Sequence, residues 1–274
     1  MESFGRKRKL LHYKVYDGKK KDWAVLIHGF AGDVSTWKKQ VGAFMEHYNL
    51  LLVDLPWHGK SEMDENFSTE ELNNAICEIL EKEHISKAHF VGFSLGSLVT
   101  ALFTLQYPKY VEKMVLEASI FQTKRWHHLL MSVLCKLRYI LPYRLVCRCG
   151  IPMIVKDSFG SEKCASLCSS FKMMKRKHLI EWVDYLSAVL KGKKIVELLN
   201  LTKKKILFVS GERDAWFFEG SRKCAEKINN SEFFVLKKCS HLCHLDDSEH
   251  FNRRVLTFFE ESSEEIRHNE CISA

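Results

Sequence analysis

The sequence predicts an α/β protein with a mainly parallel, doubly wound sheet of about eight strands and an inserted helical cap. Two observations favour this class. Short apolar runs alternate with longer amphipathic patterns, as in a parallel sheet covered by helices, and this alternation stops over residues 120–202. The chain has 274 residues, of which 46% are hydrophobic and 28% charged, so it is long enough for one folded core domain with an insertion.

The candidate strands are apolar runs of the length that buried parallel strands have. They lie at residues 24–27, 50–54, 88–91, 113–117, 205–209 and 233–236. An earlier segment, residues 10–16, ends at Asp17-Gly18, and this turn sequence predicts an antiparallel edge hairpin with its neighbours.

Helical patterns accompany most of these runs, at residues 34–47, 69–83, 95–107, 220–229 and 248–260. The second begins after Ser68, with Glu71 three residues later. This is the spacing of a capping box, in which each side chain accepts the other residue's backbone N–H. Its apolar residues share one face: Leu72, Ile76, Ile79 and Leu80.

Residues 120–202 are too many for a loop inside a compact domain, so this stretch must have structure of its own. Two groups of apolar residues recur there at helical spacing. They are Leu129, Leu130, Val133, Leu134 and Leu137, and then Leu179, Trp182, Val183, Leu186 and Leu190. We therefore predict a helical cap at 120–202, inserted between the two halves of a core domain formed by 1–119 and 203–274, with a frayed tail at 261–274.

The predicted cap is strongly basic. Between Phe121 and Lys205 there are 18 Lys and Arg against 5 Asp and Glu, a balance of +13, while the whole chain carries +8 and the remainder is therefore acidic. Such a cap is suited to anionic substrates or to weak association with an anionic membrane surface. A solvated helical face that balances an acidic core explains the charge equally well. Because no nucleic-acid-binding motif accompanies the charge, we expect no nucleic-acid partner.

The N-terminus is charged and lacks the apolar run of a signal peptide, and no stretch reaches the roughly 18 apolar residues of a membrane span, which predicts a cytoplasmic protein. We expect its ten cysteines to be reduced thiols. The pairs Cys147-x-Cys149 and Cys164-x-x-x-Cys168 lack the spacing of a zinc module, and no histidine nearby completes one. We therefore expect no metal and no cofactor.

A nucleophile is indicated by Gly92-Phe93-Ser94-Leu95-Gly96, which joins an apolar strand to a helical pattern. A G-x-S-x-G turn places its serine on a sharp bend where the hydroxyl is exposed, and the small flanking residues allow the backbone to fold tightly. The amides at the start of the following helix point toward negative charge that develops beside the serine. Ser94 is therefore the candidate nucleophile.

A serine nucleophile needs a histidine to accept its proton and a carboxylate to orient that histidine. In doubly wound enzymes with this turn the order along the chain is serine, acid, histidine. Asp214 and His241 follow Ser94 in that order, each just past a predicted strand, where open α/β sheets build their sites. The rivals are Glu212 on the acid loop and His244, which we expect to pack behind the site.

An oxyanion hole needs two backbone N–H groups aimed at the developing negative oxygen. Leu95, directly after the nucleophile, supplies one. The second candidate is Phe30, in the glycine-containing segment from His28 to Gly32 that follows the first parallel strand. His28 itself is predicted to have a structural role, as a hydrogen-bonding residue of this loop.

These motifs together resemble the α/β-hydrolase superfamily, in its capped group of serine hydrolases of the esterase and lipase type. The segments that carry the resemblance span nearly the whole chain in the family's order. They are His28-Gly29-Phe30, Asp54-Leu55-Pro56-Trp57-His58-Gly59-Lys60-Ser61, Gly92-Phe93-Ser94-Leu95-Gly96, Gly211-Glu212-Arg213-Asp214 and Ser240-His241. Two positions depart from the pattern: Trp57 and Ser240 stand where the family usually has glycine.

The resemblance implies hydrolysis, and our primary hypothesis is cleavage of a carboxylic ester or thioester through an acyl-enzyme. The Leu, Met and Trp residues of the predicted cap favour a small-molecule substrate with an apolar acyl group, and the basic charge of the cap favours an anionic one. Because Ser94 is the nucleophile, the dehalogenases and epoxide hydrolases of this fold, which use aspartate, are disfavoured. Carbon–carbon-bond hydrolases stay open, as does a menaquinone-pathway-type lyase that eliminates pyruvate. The lyase normally has arginine where this chain has Leu98, so Arg125 or Arg138 would have to replace it. A non-catalytic ligand-binding or regulatory protein is the alternative from another class.

Overall fold

The sheet of this protein is mainly parallel, as a computed structural model of the chain shows. The structure describes residues 11–63, 67–122, 175–192 and 194–261. Within these ranges the sheet has seven strands in the order β1-β3-β2-β4-β5-β6-β7, against the eight or so that the sequence predicts. The strands are β1 (Tyr13–Tyr16), β2 (Trp23–Ile27), β3 (Asn49–Val53), β4 (Ala88–Phe93), β5 (Val111–Glu117), β6 (Lys205–Gly211) and β7 (Ser231–Leu236).

Helices cover both faces of this sheet. They are α1 (Val41–Met45), α2 (Thr69–Lys82), α3 (Leu95–Gln106), α4 (Arg176–Gly192), α5 (Ile195–Leu201), α6 (Phe218–Ala225), α7 (Cys243–Asp246) and α8 (Ser248–Glu260), with 3-10 turns at Val34–Trp37 and Pro108–Tyr110. Alternate residues of β2 enter opposite cores: Val25 and Ile27 pack toward α2 and α3, while Ala24 and Leu26 pack toward α1 and α8. The doubly wound α/β class predicted from the sequence is confirmed.

The predicted hairpin at the start of the chain is wrong in its pairing. β1 runs antiparallel to β3, with Tyr13 opposite Val53 and Tyr16 opposite Leu50, and it does not pair with β2. The reason is that β2 already pairs with β3 on one side and β4 on the other. The free edge available to β1 is therefore that of β3.

The helix predicted at 34–47 is divided into the 3-10 turn Val34–Trp37 and the short helix α1. Asp33 caps the 3-10 turn by accepting the Ser35 N–H. Between the two pieces lies Gln40, which is buried and donates its side-chain amide to His244 O at 2.8 Å. This long-range contact holds the chain at Gln40, between the 3-10 turn and α1, where the sequence pattern predicts a continuous helix. In contrast, α2 begins at the predicted capping box, with both reciprocal bonds present.

Asp54 organises the loop that follows β3. Its buried carboxylate accepts the backbone N–H groups of Val34 at 2.7 Å and Lys60 at 3.0 Å, and it pairs with His12 Nδ1 at 2.6 Å. Gly59 lies against it with φ +53°, a left-handed conformation that favours glycine, and a Cβ there would overlap the carboxylate. One buried carboxylate thus connects the N-terminal strand with the loops after β2 and β3.

None of the helices within the described ranges combines the length and the apolar character that crossing a membrane requires.

Gly59→Ala is expected to lower the free energy of unfolding by more than about 2 kcal/mol, since the left-handed backbone alone costs an L-residue about 1–2 kcal/mol and the new methyl group displaces Asp54. Urea denaturation measures this change in the free energy of unfolding. The matched control is Gly42→Ala in α1, where nothing lies within 4 Å of the added Cβ. This substitution should instead stabilise the protein by up to about 1 kcal/mol. Equal effects of the two substitutions would contradict the role of Asp54 and Gly59.

Candidate active site

Ser94 lies between the end of β4 and the start of α3, on a turn with a strained backbone. Its φ of 51° and ψ of −109° belong to a region that residues other than glycine rarely occupy. The turn is held by a hydrogen bond in which the Ser94 N–H donates to Glu117 O at 2.8 Å. The side chain of Ser94 is partly exposed, whereas its neighbours on both sides are buried.

The glycines of the turn are required by close backbone approaches. A Cβ on Gly92 would overlap the carbonyl of Gly96, and a Cβ on Gly96 would overlap the carbonyl of Ile27. The same added atom would lie 2.7 Å from His28 O. The absence of side chains here therefore lets the start of α3 lie directly against the end of β2 and the loop that follows it.

The structure brings the three predicted catalytic residues together. His241 Nε2 lies 3.2 Å from Ser94 Oγ, and His241 Nδ1 lies 2.8 Å from Asp214 Oδ2. Asp214 is 1% exposed and His241 is 6% exposed. Because the ionised carboxylate can only accept, Nδ1 carries the proton and Nε2 is free to accept the Ser94 hydroxyl proton.

Asp214 is held in this position by the backbone around it. Its other oxygen, Oδ1, accepts the N–H groups of Trp216 at 3.2 Å and Phe217 at 3.1 Å. The acid loop is joined to the histidine loop because the Arg213 N–H donates to Cys239 O at 2.9 Å. Gly211 allows this pairing, since a Cβ there would overlap Ser240 O.

The rival acid Glu212 is directed away from the histidine. It binds Lys237 Nζ at 3.1 Å and accepts the Lys238 N–H at 3.0 Å. These contacts, the Lys238 N–H above all, lower the pKa of its carboxyl. The rival base His244 is fully buried in α7 behind the site, as the sequence predicts, and donates from Nδ1 to Glu117 Oε1 at 2.8 Å.

The two candidate oxyanion donors, Leu95 and Phe30, belong to segments that pack against each other at the nucleophile turn. Leu95 is the first residue of α3, where a backbone N–H has no carbonyl one turn earlier to accept it. Phe30 lies in the loop after β2, and Gly29 beside it packs so closely that a Cβ would come within 2.6 Å of the Phe93 ring. His28 has the predicted structural role: Nδ1–H donates to Gly29 O at 2.7 Å, and Nε2 accepts the Leu55 N–H at 3.0 Å.

Burial keeps the histidines next to this loop neutral. Desolvation lowers the pKa of His28, and it lowers the pKa of His58 to about 3. The His58 ring lies 5.2 Å from the His28 ring and 5.4 Å from the Phe30 ring, between centroids. Its Nδ1–H donates to Pro56 O at 2.9 Å. Neither imidazole therefore supplies positive charge near the site at neutral pH.

Helix α4, from the region predicted to form the cap, contacts the loop after β3 through aromatic side chains. Trp182 is buried, and its indole N–H donates to Pro56 O at 3.0 Å. The Trp57 ring stacks on His178 at 4.6 Å between centroids. Trp57 has φ +59°, a left-handed conformation that favours glycine. The family usually has glycine at this position, whereas this chain has a bulky residue.

One residue next to the site was missed by sequence analysis. Glu117, at the end of β5, is fully buried beside the nucleophile turn, and its side chain binds the segment that follows His241. The sequence signal that could have identified it was a charged residue directly after the apolar run Met114-Val115-Leu116, at the carboxyl end of β5.

Several sequence predictions concern residues outside the described ranges. The cysteine pairs 147/149 and 164/168, the arginines at 125 and 138, the apolar residues from 129 to 137 and the tail after 261 all belong to this group. The boundaries of the predicted cap therefore stay a prediction. Helix α4 confirms helical structure in the later part of that region.

Comparison with known proteins supports the fold. Residues 23–136 match a family model described as the alpha/beta hydrolase fold. This segment includes Ser94 and ends before Asp214 and His241. Among solved structures, the enol-lactonase from Burkholderia xenovorans LB400 superposes with a TM-score of 0.79 at 18% identity, over 92% of this chain and 96% of the other.

Two curated relatives match part of the chain. A 2-succinyl-6-hydroxy-2,4-cyclohexadiene-1-carboxylate synthase from Escherichia coli O1:K1 is 34% identical over 100 residues, which are 36% of this chain and 39% of that protein. A pimeloyl-[acyl-carrier protein] methyl ester esterase from Vibrio cholerae is 35% identical over 95 residues, 35% of this chain and 36% of that protein. The chain thus matches less than half the length of either relative.

Stability is expected to fall as the pH drops below about 6.5. The pKa of His58 is about 3 and that of His89 about 4, so the folded state binds fewer protons than the unfolded state between these values and 6.5. Each such histidine removes up to about 1.4 kcal/mol of unfolding free energy per pH unit across that window. Urea denaturation at several pH values between 7.5 and 5 measures the slope.

His89→Phe provides the control for this slope. His89 is near the start of β4, at the opposite end of the strand from Ser94, and its ring stacks on Phe259 at 4.2 Å between centroids. An apolar ring at this position should reduce the slope of unfolding free energy against pH, because one histidine fewer takes up a proton on unfolding. A stability that does not change between pH 6.5 and 5 would contradict neutral buried histidines.

Proposed function

We propose that this chain, which has the α/β-hydrolase fold, is a serine hydrolase that cleaves a carboxylic ester or thioester through an acyl-enzyme. One observation carries the proposal: the hydrogen-bonded chain from Ser94 Oγ through His241 to Asp214, with distances of 3.2 Å and 2.8 Å. Each link joins the atom types that base-assisted attack by a serine requires.

In the acylation step, His241 Nε2 takes the proton of the Ser94 hydroxyl as Oγ forms a bond to the acyl carbon. The carbonyl oxygen becomes negative, and the N–H groups of Leu95 and Phe30 donate to it. When the tetrahedral intermediate collapses, the bond to the leaving oxygen or sulfur breaks. His241 then gives its proton to that leaving group, and the acyl group stays on Ser94.

In the deacylation step, water replaces the alcohol or thiol. His241 Nε2 accepts a proton from the water as its oxygen bonds to the acyl carbon, and the same two N–H groups hold the second oxyanion. The bond to Ser94 Oγ breaks, Oγ regains its proton from His241, and the carboxylic acid leaves. Asp214 stabilises the imidazolium in both steps and keeps Nδ1 protonated.

The substrate class we propose is a small acyl compound with an apolar or anionic acyl group. The partly exposed side chain of Phe30, which packs edge-on against the His58 ring, supplies apolar surface in the oxyanion loop. The 18 basic residues against 5 acidic ones between Phe121 and Lys205 favour substrates with negative charge. The similarity to a pimeloyl-[acyl-carrier protein] methyl ester esterase is consistent with an acyl chain of this kind.

A second candidate, a lyase acting on a carboxylate substrate, is favoured by the 34% identity to the synthase over 100 residues. Against it, Leu98 is fully buried at the position where the resemblance implies a substrate-binding arginine. A lyase would react with a serine-directed phosphonate but hydrolyse few members of an ester panel. The esters in this panel should therefore differ in acyl length and in charge.

Ser94→Ala is expected to abolish both labelling by a serine-directed fluorophosphonate and turnover of activated esters, because it removes the hydroxyl that we propose as the nucleophile. Asp214→Asn should lower kcat by a factor of about 10³ to 10⁴, since the amide can donate to the imidazole and favours the wrong tautomer. Ester hydrolysis and mass spectrometry of the labelled protein measure these effects.

The matched control for the acid is Glu212→Gln, which changes a carboxylate two residues away that binds Lys237 and Lys238 instead of His241. This variant should keep the kcat of the wild type. A wild-type protein that neither takes the label nor hydrolyses any ester would disprove the proposed hydrolase activity. The alternative would then be a non-catalytic ligand-binding protein.

A further inference from the structure

Glu117 occupies a central place between the strands that carry the site. It is the last residue of β5, paired in register with Phe93 of β4 and with Val209 of β6. Ser94 follows the first of these neighbouring strands, and Asp214 follows the second. Glu117 is 0% exposed, so its carboxylate is removed from water and needs partners inside the protein.

The residue binds both the nucleophile turn and the histidine segment. Its main-chain carbonyl accepts the Ser94 N–H at 2.8 Å. Its side-chain Oε1 accepts the Cys243 thiol proton at 2.9 Å, the His244 backbone N–H at 3.0 Å and the His244 Nδ1–H at 2.8 Å. One residue therefore connects the two parts of the chain whose separation decides whether a proton can pass from Ser94 to His241.

The segment held by Glu117 is short and continuous with His241. Cys243 and His244 are two and three residues after it and begin α7. The Phe93 ring packs against both histidines, with its centroid 5.0 Å from that of His241 and 4.9 Å from that of His244. On the other side, Ser240 N–H and Oγ–H both donate to Asp246 Oδ2, at 2.7 and 2.6 Å.

We propose that Glu117 is a positioning residue that sets the distance between His241 Nε2 and Ser94 Oγ. This inference rests on the proposed serine hydrolase function. The three hydrogen bonds to Oε1 fix the start of α7 relative to the nucleophile turn. An error of about 1 Å in the relative position of reacting groups is enough to reduce a rate about 100-fold.

The test compares two substitutions at Glu117. Glu117→Gln keeps the shape and one acceptor oxygen but removes the charge, whereas Glu117→Met removes every acceptor. We expect kcat for an activated ester to fall about 10-fold in the first and about 100-fold in the second, with KM changed by less than about threefold. Partial activity in the glutamine variant is the rescue that positioning by an acceptor predicts.

The second readout does not depend on activity. The proton shared between His241 Nδ1 and Asp214 should give a low-field ¹H NMR resonance in the wild type. Because Glu117 fixes the histidine segment, this resonance should shift and broaden in Glu117→Gln and more strongly in Glu117→Met. If Glu117→Met does not fold, His244→Phe replaces it, since this variant keeps a ring in place and removes the Nδ1 donor.

Lys113→Met is the matched control. Lys113 is the other buried charged residue of β5, and its Nζ donates to the carbonyls of Phe258, Phe259 and Glu261 at 2.7, 2.9 and 2.7 Å. It lies on the same strand four residues before Glu117 and away from the carboxyl end. Its loss should lower Tm while kcat and the His241 resonance stay as in the wild type.

The outcomes separate the two proposals. Glu117 variants that lose stability as Lys113→Met does, but keep the wild-type kcat and resonance, would overturn the positioning role. A wild-type protein without labelling or ester turnover would overturn the serine hydrolase function. In that case the NMR resonance still decides whether Glu117 positions His241.

Discussion

The backbone at Ser94 is folded more tightly than most residues allow, and the arrangement of the other site residues depends on this turn. Its φ of 51° and ψ of −109° reverse the chain within one residue, so that β4 leads directly into α3. Because Gly92 and Gly96 lack side chains, the start of α3 lies against the end of β2. The nucleophile, the Leu95 N–H and the loop with Phe30 are thereby gathered at one edge of the sheet.

Burial of polar groups gives this edge its rigidity. Asp214, Glu117 and Asp54 are each at most 1% exposed, and each accepts at least one hydrogen bond from a segment that is distant in sequence. A buried carboxylate without partners would cost several kcal/mol, so these contacts form together or the fold loses stability. The same desolvation lowers the pKa of His28 and that of His58, so both rings are neutral and are weaker bases than an exposed imidazole.

Much of this architecture was predictable from local sequence patterns. Apolar runs located six strands of the sheet to within a few residues, and the capping box located the start of α2. Ser94, Asp214 and His241 were identified because each follows a strand in the order typical of the fold. The pairing of β1 with β3 was not predictable, since it depends on which strand edge is left free after β2 has paired on both sides.

By itself, the sequence determined the α/β class, the nucleophile turn and the order of the candidate catalytic residues, because these follow from short-range periodicity and from glycines at fixed spacing. Only the tertiary structure decided between Asp214 and Glu212, and only it revealed Glu117 beside the nucleophile turn. Both decisions depend on contacts between residues 27 to 127 positions apart. Such contacts are set by how the strands are ordered in the sheet, which no local pattern of residues encodes.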